Sequence, residues 1–163
     1  MPFDAFLKLD NIPGECTDDK HKEWIEILSY NLGVSQSGGA TRSTGGAAAG
    51  ARADFMDFTV MKQLDKASPK LALFAANATH IPLVTLELCR ATGDKTKYME
   101  YKMSDCIVSQ YMPSGSGGSD VPSEAVAFNF GKIEYTYTET DQKTGAAKGD
   151  IKSHWSLVEN KGE

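Results

Sequence analysis

The chain has 163 residues, with 17 basic and 22 acidic side chains and a formal net charge of −5. That length fits one domain able to bury about two thirds of its unfolded surface without disulfide or metal staples. Apolar runs fall well short of the roughly 18 residues of a membrane span, and the basic residues are scattered. Neither membrane insertion nor phosphate-driven nucleic-acid binding is therefore expected.

The first element is a half-buried strand, in which Phe3, Ala5, Leu7 and Leu9 share one face while Asp4, Lys8 and Asp10 occupy most of the other. Charges at positions 4 and 8 leave no apolar segment of the kind a secretory signal needs. Residues 11–22 read as a turn region, where Asp18 and Asp19 alternate with Lys20 and Lys22 as a solvated stretch. Residues 24–35 alternate again, with Trp24, Leu28, Tyr30, Leu32 and Val34 on an oily face and Ser29, Asn31, Gly33 and Ser35 on a small polar one.

Residues 37–50, SGGATRSTGGAAAG, contain no large apolar anchor, and loops longer than about 12 residues usually serve a function. A strand follows over 54–64 with Met56, Phe58, Val60 and Leu64 in phase. Ser68 then caps a helix over 69–78 with Pro69 in its first turn, and Leu71, Phe74, Ala75 and Ala78 form its packing face. Residues 83–90 form a strand with Val84, Leu86 and Leu88 inward.

From Lys97 to Met112 the apolar phase changes between Met103 and Cys106, which predicts a bulge or bend near Ser104 and Asp105. The same change occurs in 125–138, around Gly131, where Val126, Phe128 and Phe130 give way to Ile133, Tyr135 and Tyr137. Long strands bent in mid-course suit the corners of a small barrel. Ser114 to Ser119 is a flexible turn, and a last strand, 152–158, carries Trp155 and Leu157 inward. The predicted fold is mainly β: a compact antiparallel β-barrel of about seven strands, one flanking helix and a long Gly/Ala/Ser loop.

The chemistry-bearing residues form no recognisable constellation. The glycine-rich stretches lack a phosphate-loop ending, and no GxSxG elbow is present. His21, His80 and His154 are far apart and outside any HExxH or Cys/His cluster. Cys16, Cys89 and Cys106 fit neither a disulfide framework nor a CxxC pair and read as buried thiols in a reducing compartment. No catalytic residue, metal ligand or cofactor is expected.

Several segments taken together resemble one family. They are FDAFLKLDNIPGEC (Phe3 to Cys16), WIEILSYNLGVSQSGG (Trp24 to Gly39), the small-residue loop after it, the helix entry Asp65 to Leu71, and SGSGGSDVPSEAVAFNFGKIEYTY (Ser114 to Tyr137). In this order, over nearly the whole chain, they resemble the Hcp family, inner-tube proteins of the bacterial type VI secretion system. The resemblance implies homo-hexameric rings that stack into a hollow tube, a surrounding contractile sheath, a spike protein at the tip and effector proteins in the lumen. It implies residence in the cytoplasm before firing and secretion without a signal peptide. The absence of further sequence past Glu163 is read as arguing against a fused C-terminal toxin.

Against that background the 37–50 loop becomes a candidate subunit or ring interface, with Ser37, Gly38, Gly39, Arg42, Gly45, Gly46 and Gly50 in it and Arg52 flanking it. The polar face Ser29, Asn31, Gly33 and Ser35 is a candidate lumen wall, equally readable as a plain solvent face. The alternative function is a monomeric β-barrel binding a small apolar ligand, which would require space where Phe58, Phe128 and Phe130 are expected to fill the interior.

Overall fold

In a computed structural model, residues 3–38, 50–91, 95–118, 120–141 and 143–163 are described. Among them the chain forms β1 (Phe3–Leu9), β2 (Ile25–Ile27), β3 (Ser29–Asn31), β4 (Val34–Gly38), β5 (Gly50–Phe55) and β6 (Phe58–Gln63). The helix α1 (Ser68–Asn77) follows, and then β7 (Ile81–Arg90), β8 (Lys97–Ser114), β9 (Ser123–Asn129), β10 (Lys132–Thr140), β11 (Ala147–Ser156) and β12 (Lys161–Gly162).

Antiparallel pairing joins seven of these strands into a closed circuit. β1 lies between β2 and β7, β7 pairs with β8, β8 with β9, β9 with β6, and β6 with β3. The circuit closes at Leu28, where the chain passes from β2 into β3 and the Leu28 N–H donates to Met61 O at 2.7 Å. This corner corrects the single strand expected over 24–35. Ile25 and Ile27 are the buried residues of β2, and after the crossing the inward phase flips to Tyr30 and Leu32, which pack half-buried on the core. Leu28 and Val34 are exposed, because one falls on the corner and the other lies beyond the barrel.

The opposite corner lies in β8. Its first half pairs with β7 and β10 and its second half with β9, and Asp105 between them takes φ 56°. The expected bend near Ser104 and Asp105 is therefore present. Across from it the stretch expected as one strand over 125–138 divides into β9 and β10, with the Gly131 N–H donating to Ser104 O at 3.0 Å. Among the described residues twelve strand segments form; seven of them, β1, β2, β3, β6, β7, β8 and β9, make the barrel, in line with the expected number of about seven, and β10, β11 and β12 continue one sheet outward past it. β11 also begins at Ala147, ahead of the expected 152.

Side chains fill the interior. Phe58 and Phe128 are fully buried and stacked with ring centroids 5.9 Å apart, packed among Val60, Val126, Leu86, Met103 and Ile133, with Phe130 beside them. A ligand-binding barrel would need a cavity at this place. The strand expected over 54–64 breaks at Met56–Asp57, which leaves Met56 exposed, and ends at Gln63, which leaves Leu64 exposed, while Lys62 takes the inward position in phase with Phe58 and Val60. The Asp57 carboxylate at the break accepts from Ser109 Oγ at 2.8 Å and Asn129 Nδ2 at 3.2 Å, tying the turn to β8 and β9.

Helix α1 packs Leu71 fully into the core with Phe74 and Ala75 half-buried, whereas Ala78 lies past the helix end, exposed, in the left-handed conformation at φ 54°. The N-cap is Ala67, not Ser68. The Ser68 hydroxyl is committed to Glu124, and the carboxylate of Asp65 accepts the Ala67 N–H at 3.0 Å instead.

Candidate assembly surface

Register across the larger sheet places side chains in rows that run from the barrel core outward. One row is Leu9, Val84, Met103, Ile133 and Trp155; the next is Leu7, Leu86, Tyr101, Tyr135 and Ser153. A third runs Ala5, Leu88, Met99, Tyr137 and Ile151. All three belong to the core-facing side, since facing residues in a ladder share a face. Along the third row cover is lost: Ala5 and Leu88 are buried, Met99 is half-buried, Tyr137 is 43% exposed and Ile151 66% exposed. The core side of the sheet thus emerges from the barrel as a bare apolar strip on β10 and β11.

Strands β4 and β5 form a two-stranded arm paired with no other described strand, in the register Val34 with Phe55, Ser35 with Asp54, Gln36 with Ala53 and Gly38 with Gly50. Its base is anchored. Phe55 meets Phe130 edge-on at 6.1 Å and stacks near Trp155 at 6.4 Å, and Arg52 Nη2 donates to Leu157 O at 3.4 Å. At Gly33 a β-carbon would lie 2.9 Å from Met56 Sδ, and the Met56 N–H donates to Gly33 O at 2.9 Å. The exposed side chains of Val34 and Met56 flank this close approach.

Of the candidate interface residues, Ser37, Gly38, Gly50 and Arg52 lie on this arm, and the Arg52 guanidinium is already engaged within the chain. Gly39, Arg42, Gly45 and Gly46 lie outside the described residues. The candidate lumen residues are divided between sheets: Ser29 and Asn31 are exposed on β3, Ser35 is exposed on β4, and Gly33 is half-buried in the connection. They are not one continuous strand face, because the chain changes sheet between them.

Two buried polar clusters were not legible in the sequence. Lys62 and Glu124 are both fully buried, with Nζ donating to Asp65 Oδ1 at 2.9 Å, Gln63 O at 3.0 Å and Glu124 Oε2 at 3.1 Å, and with Ser68 Oγ 3.3 Å away. This satisfied network pins the start of α1 to β6 and β9. Lys62 was in phase with Phe58 and Val60, the one signal that could have placed it inside.

The second cluster surrounds His21, which is 3% exposed and stacked on Phe6. Asp18, expected in a solvated stretch, is instead mostly covered, with Oδ2 2.8 Å from His21 Nδ1 and Oδ1 3.0 Å from Lys95 Nζ. Those two partners hold its carboxyl below the usual carboxylate range. Burial, reinforced by Glu87, pushes the Cys89 thiol up to about 11.

Comparison with known proteins agrees over most of the length. Residues 6–137 match the family model described as type VI secretion system effector, Hcp. Protein hcp1 of Pseudomonas aeruginosa is 32% identical, covering 98% of both chains. A solved structure of a type six secretion system protein superposes with a TM-score of 0.93 at 38% identity, covering 99% of this chain and 100% of that one. Hcp1 from Salmonella typhimurium superposes with a TM-score of 0.80 at 31% identity, covering both chains in full.

Proposed function

The chain belongs to the Hcp family of type VI secretion proteins, and from that premise we propose that it is the structural subunit of a secretion tube. Six copies close a ring, rings stack into a hollow tube, and the tube is driven out of the cell by a contractile sheath with a spike protein at its tip. The lumen holds effector proteins during passage. The work is mechanical and confining and not catalytic, and the protein resides in the cytoplasm until it is ejected.

The observation that carries this reading is the row ending at Tyr137 and Ile151. An apolar strip continuous with the core, at the end of a sheet that outruns its own barrel, is a surface that a neighbouring subunit covers. Ring closure by rotation requires two different patches that meet head to tail, and the arm base around Val34 and Met56 supplies a second apolar patch. The sequence between the two strands of the arm, within SGGATRSTGGAAAG, is rich in small residues, a composition that permits the close backbone approach that ring-on-ring stacking demands.

Ile151→Glu tests the assignment. A carboxylate on the strip should shift the chain from ring to monomer, while its circular dichroism and denaturation midpoint stay near wild type because Ile151 is exposed in the single chain. A ring that forms unchanged with glutamate at 151 would place the contact elsewhere.

A further inference from the structure

Segment 13–24 is closed on itself by Gly14 N–H to Glu23 O at 2.7 Å and Cys16 N–H to Trp24 O at 3.0 Å, and it packs Cys16 and Trp24 against Phe6 of β1 and Cys89 of β7. It delivers His21 to two residues of β7, Glu87 and Cys89, which share a face because they alternate along the strand. A His21 ring nitrogen, a Glu87 carboxylate oxygen and Cys89 Sγ all lie within 4.8 Å of one another.

We propose that His21, Glu87 and Cys89 bind a divalent transition metal of the zinc class, with Asp18 as the positioning residue, so that the metal clips segment 13–24 to β7. Nitrogen, sulfur and oxygen are the donor types such a cation takes. The orientation is set in advance: the ring stacks on Phe6 at 4.0 Å and meets Trp24 edge-on at 4.8 Å. Its Nδ1 bonds Asp18 Oδ2 at 2.8 Å, the carboxylate–histidine arrangement that aims the other nitrogen at a metal.

Nε2 then faces Glu87 Oε2 at 2.7 Å. A neutral imidazole has one N–H to offer two carboxylates, so one contact sets lone pair against lone pair unless a cation, a proton or a metal, lies there. The neighbouring lysines use other oxygens: Lys95 Nζ reaches Asp18 Oδ1 at 3.0 Å, and Lys97 Nζ lies 3.7 Å from Glu87 Oε1. Opening the Nε2–Oε2 gap to about 3.3 Å accommodates two tetrahedral bonds of roughly 2.0–2.1 Å, and three protein donors leave the fourth position to water. Cys89 gives up its thiol proton to solvent as the metal–sulfur bond forms.

Cobalt(II) is the probe. Added to the reduced full-length chain, it should produce thiolate-to-metal charge-transfer absorption that saturates at one equivalent. Cys89→Ser should abolish that band, Cys16→Ser and Cys106→Ser should keep it, and Asp18→Asn should weaken binding about 10- to 100-fold. Zinc should raise the melting temperature of the wild type. X-ray absorption at the zinc edge, which needs no variant, should find one sulfur in the first shell. Absence of the charge-transfer band, its survival in Cys89→Ser, or a zinc shell without sulfur overturns the proposal.

Discussion

Lys62 and Glu124, 62 residues apart in sequence, meet as a fully buried ion pair with Nζ 3.1 Å from Oε2, and through Ser68 the same carboxylate holds the first turn of α1. A charge pair in such a place costs desolvation that its mutual attraction and added hydrogen bonds only offset, so it contributes more to where the helix docks than to net stability. Removing one partner is a different matter, because the other remains buried and uncompensated.

Lys62→Met should therefore destabilise the chain by about 3–5 kcal/mol, whereas Lys62→Met with Glu124→Gln should recover most of that loss, since glutamine still accepts from Ser68. Urea denaturation of the three proteins measures this. A double variant no more stable than the single would show that the ion pair itself supplies the stability.

Gly14 is a second sensitive position. A β-carbon there would press against the carbonyl oxygen of Trp24 and lie 2.7 Å from Ile25 Cγ1. The obstruction is backbone and cannot swing aside, so Gly14→Ala should cost about 1–3 kcal/mol as an overpacking substitution. Wild-type stability in the same denaturation series would refute the close approach.

Alkaline pH should destabilise the fold through its tyrosines. Burial pushes the Tyr101 and Tyr135 phenols above their ordinary value near 10, and Tyr30 adds to the shift at Tyr101. A raised folded value means the neutral phenol is favoured in the fold, so this stability is complete below pH 10 and drains away above it as the unfolded chain ionises first. Denaturation midpoints between pH 9 and pH 11 should fall, and should fall less in Tyr101→Phe; equal slopes would remove Tyr101 from the account.

Much of this was legible from alternation. The phase changes at Ser104–Asp105 and at Gly131 marked real corners, since a strand with one buried face cannot change phase without a bend. Ile25 and Ile27 were not recognised as core residues because the aromatic and leucine series of 24–35 gave a longer and more regular pattern, and the phase flip at Leu28 was hidden inside it. Ile151 was missed because Lys148, Gly149 and Asp150 before it and Lys152 after it disguise a strand whose neighbours are solvated. The partners of His21 and Lys62 could not be read at all, since they are brought near by pairing between strands distant in sequence.

Cys106 should be unreactive in the native protein. It is completely buried, and burial pushes its thiol up to about 12. Iodoacetamide at neutral pH should leave Cys106 unmodified by mass spectrometry until denaturant is added; rapid native labelling would show that the β8 corner opens.

The most direct test of the tube assignment is the solution mass of the wild-type chain by light scattering, with negative-stain images of the same peak. A tube subunit should give a species of six times the 17.6 kDa chain, seen as rings with a central hole. A monomer persisting through the micromolar range, with no rings on the grid, would contradict it.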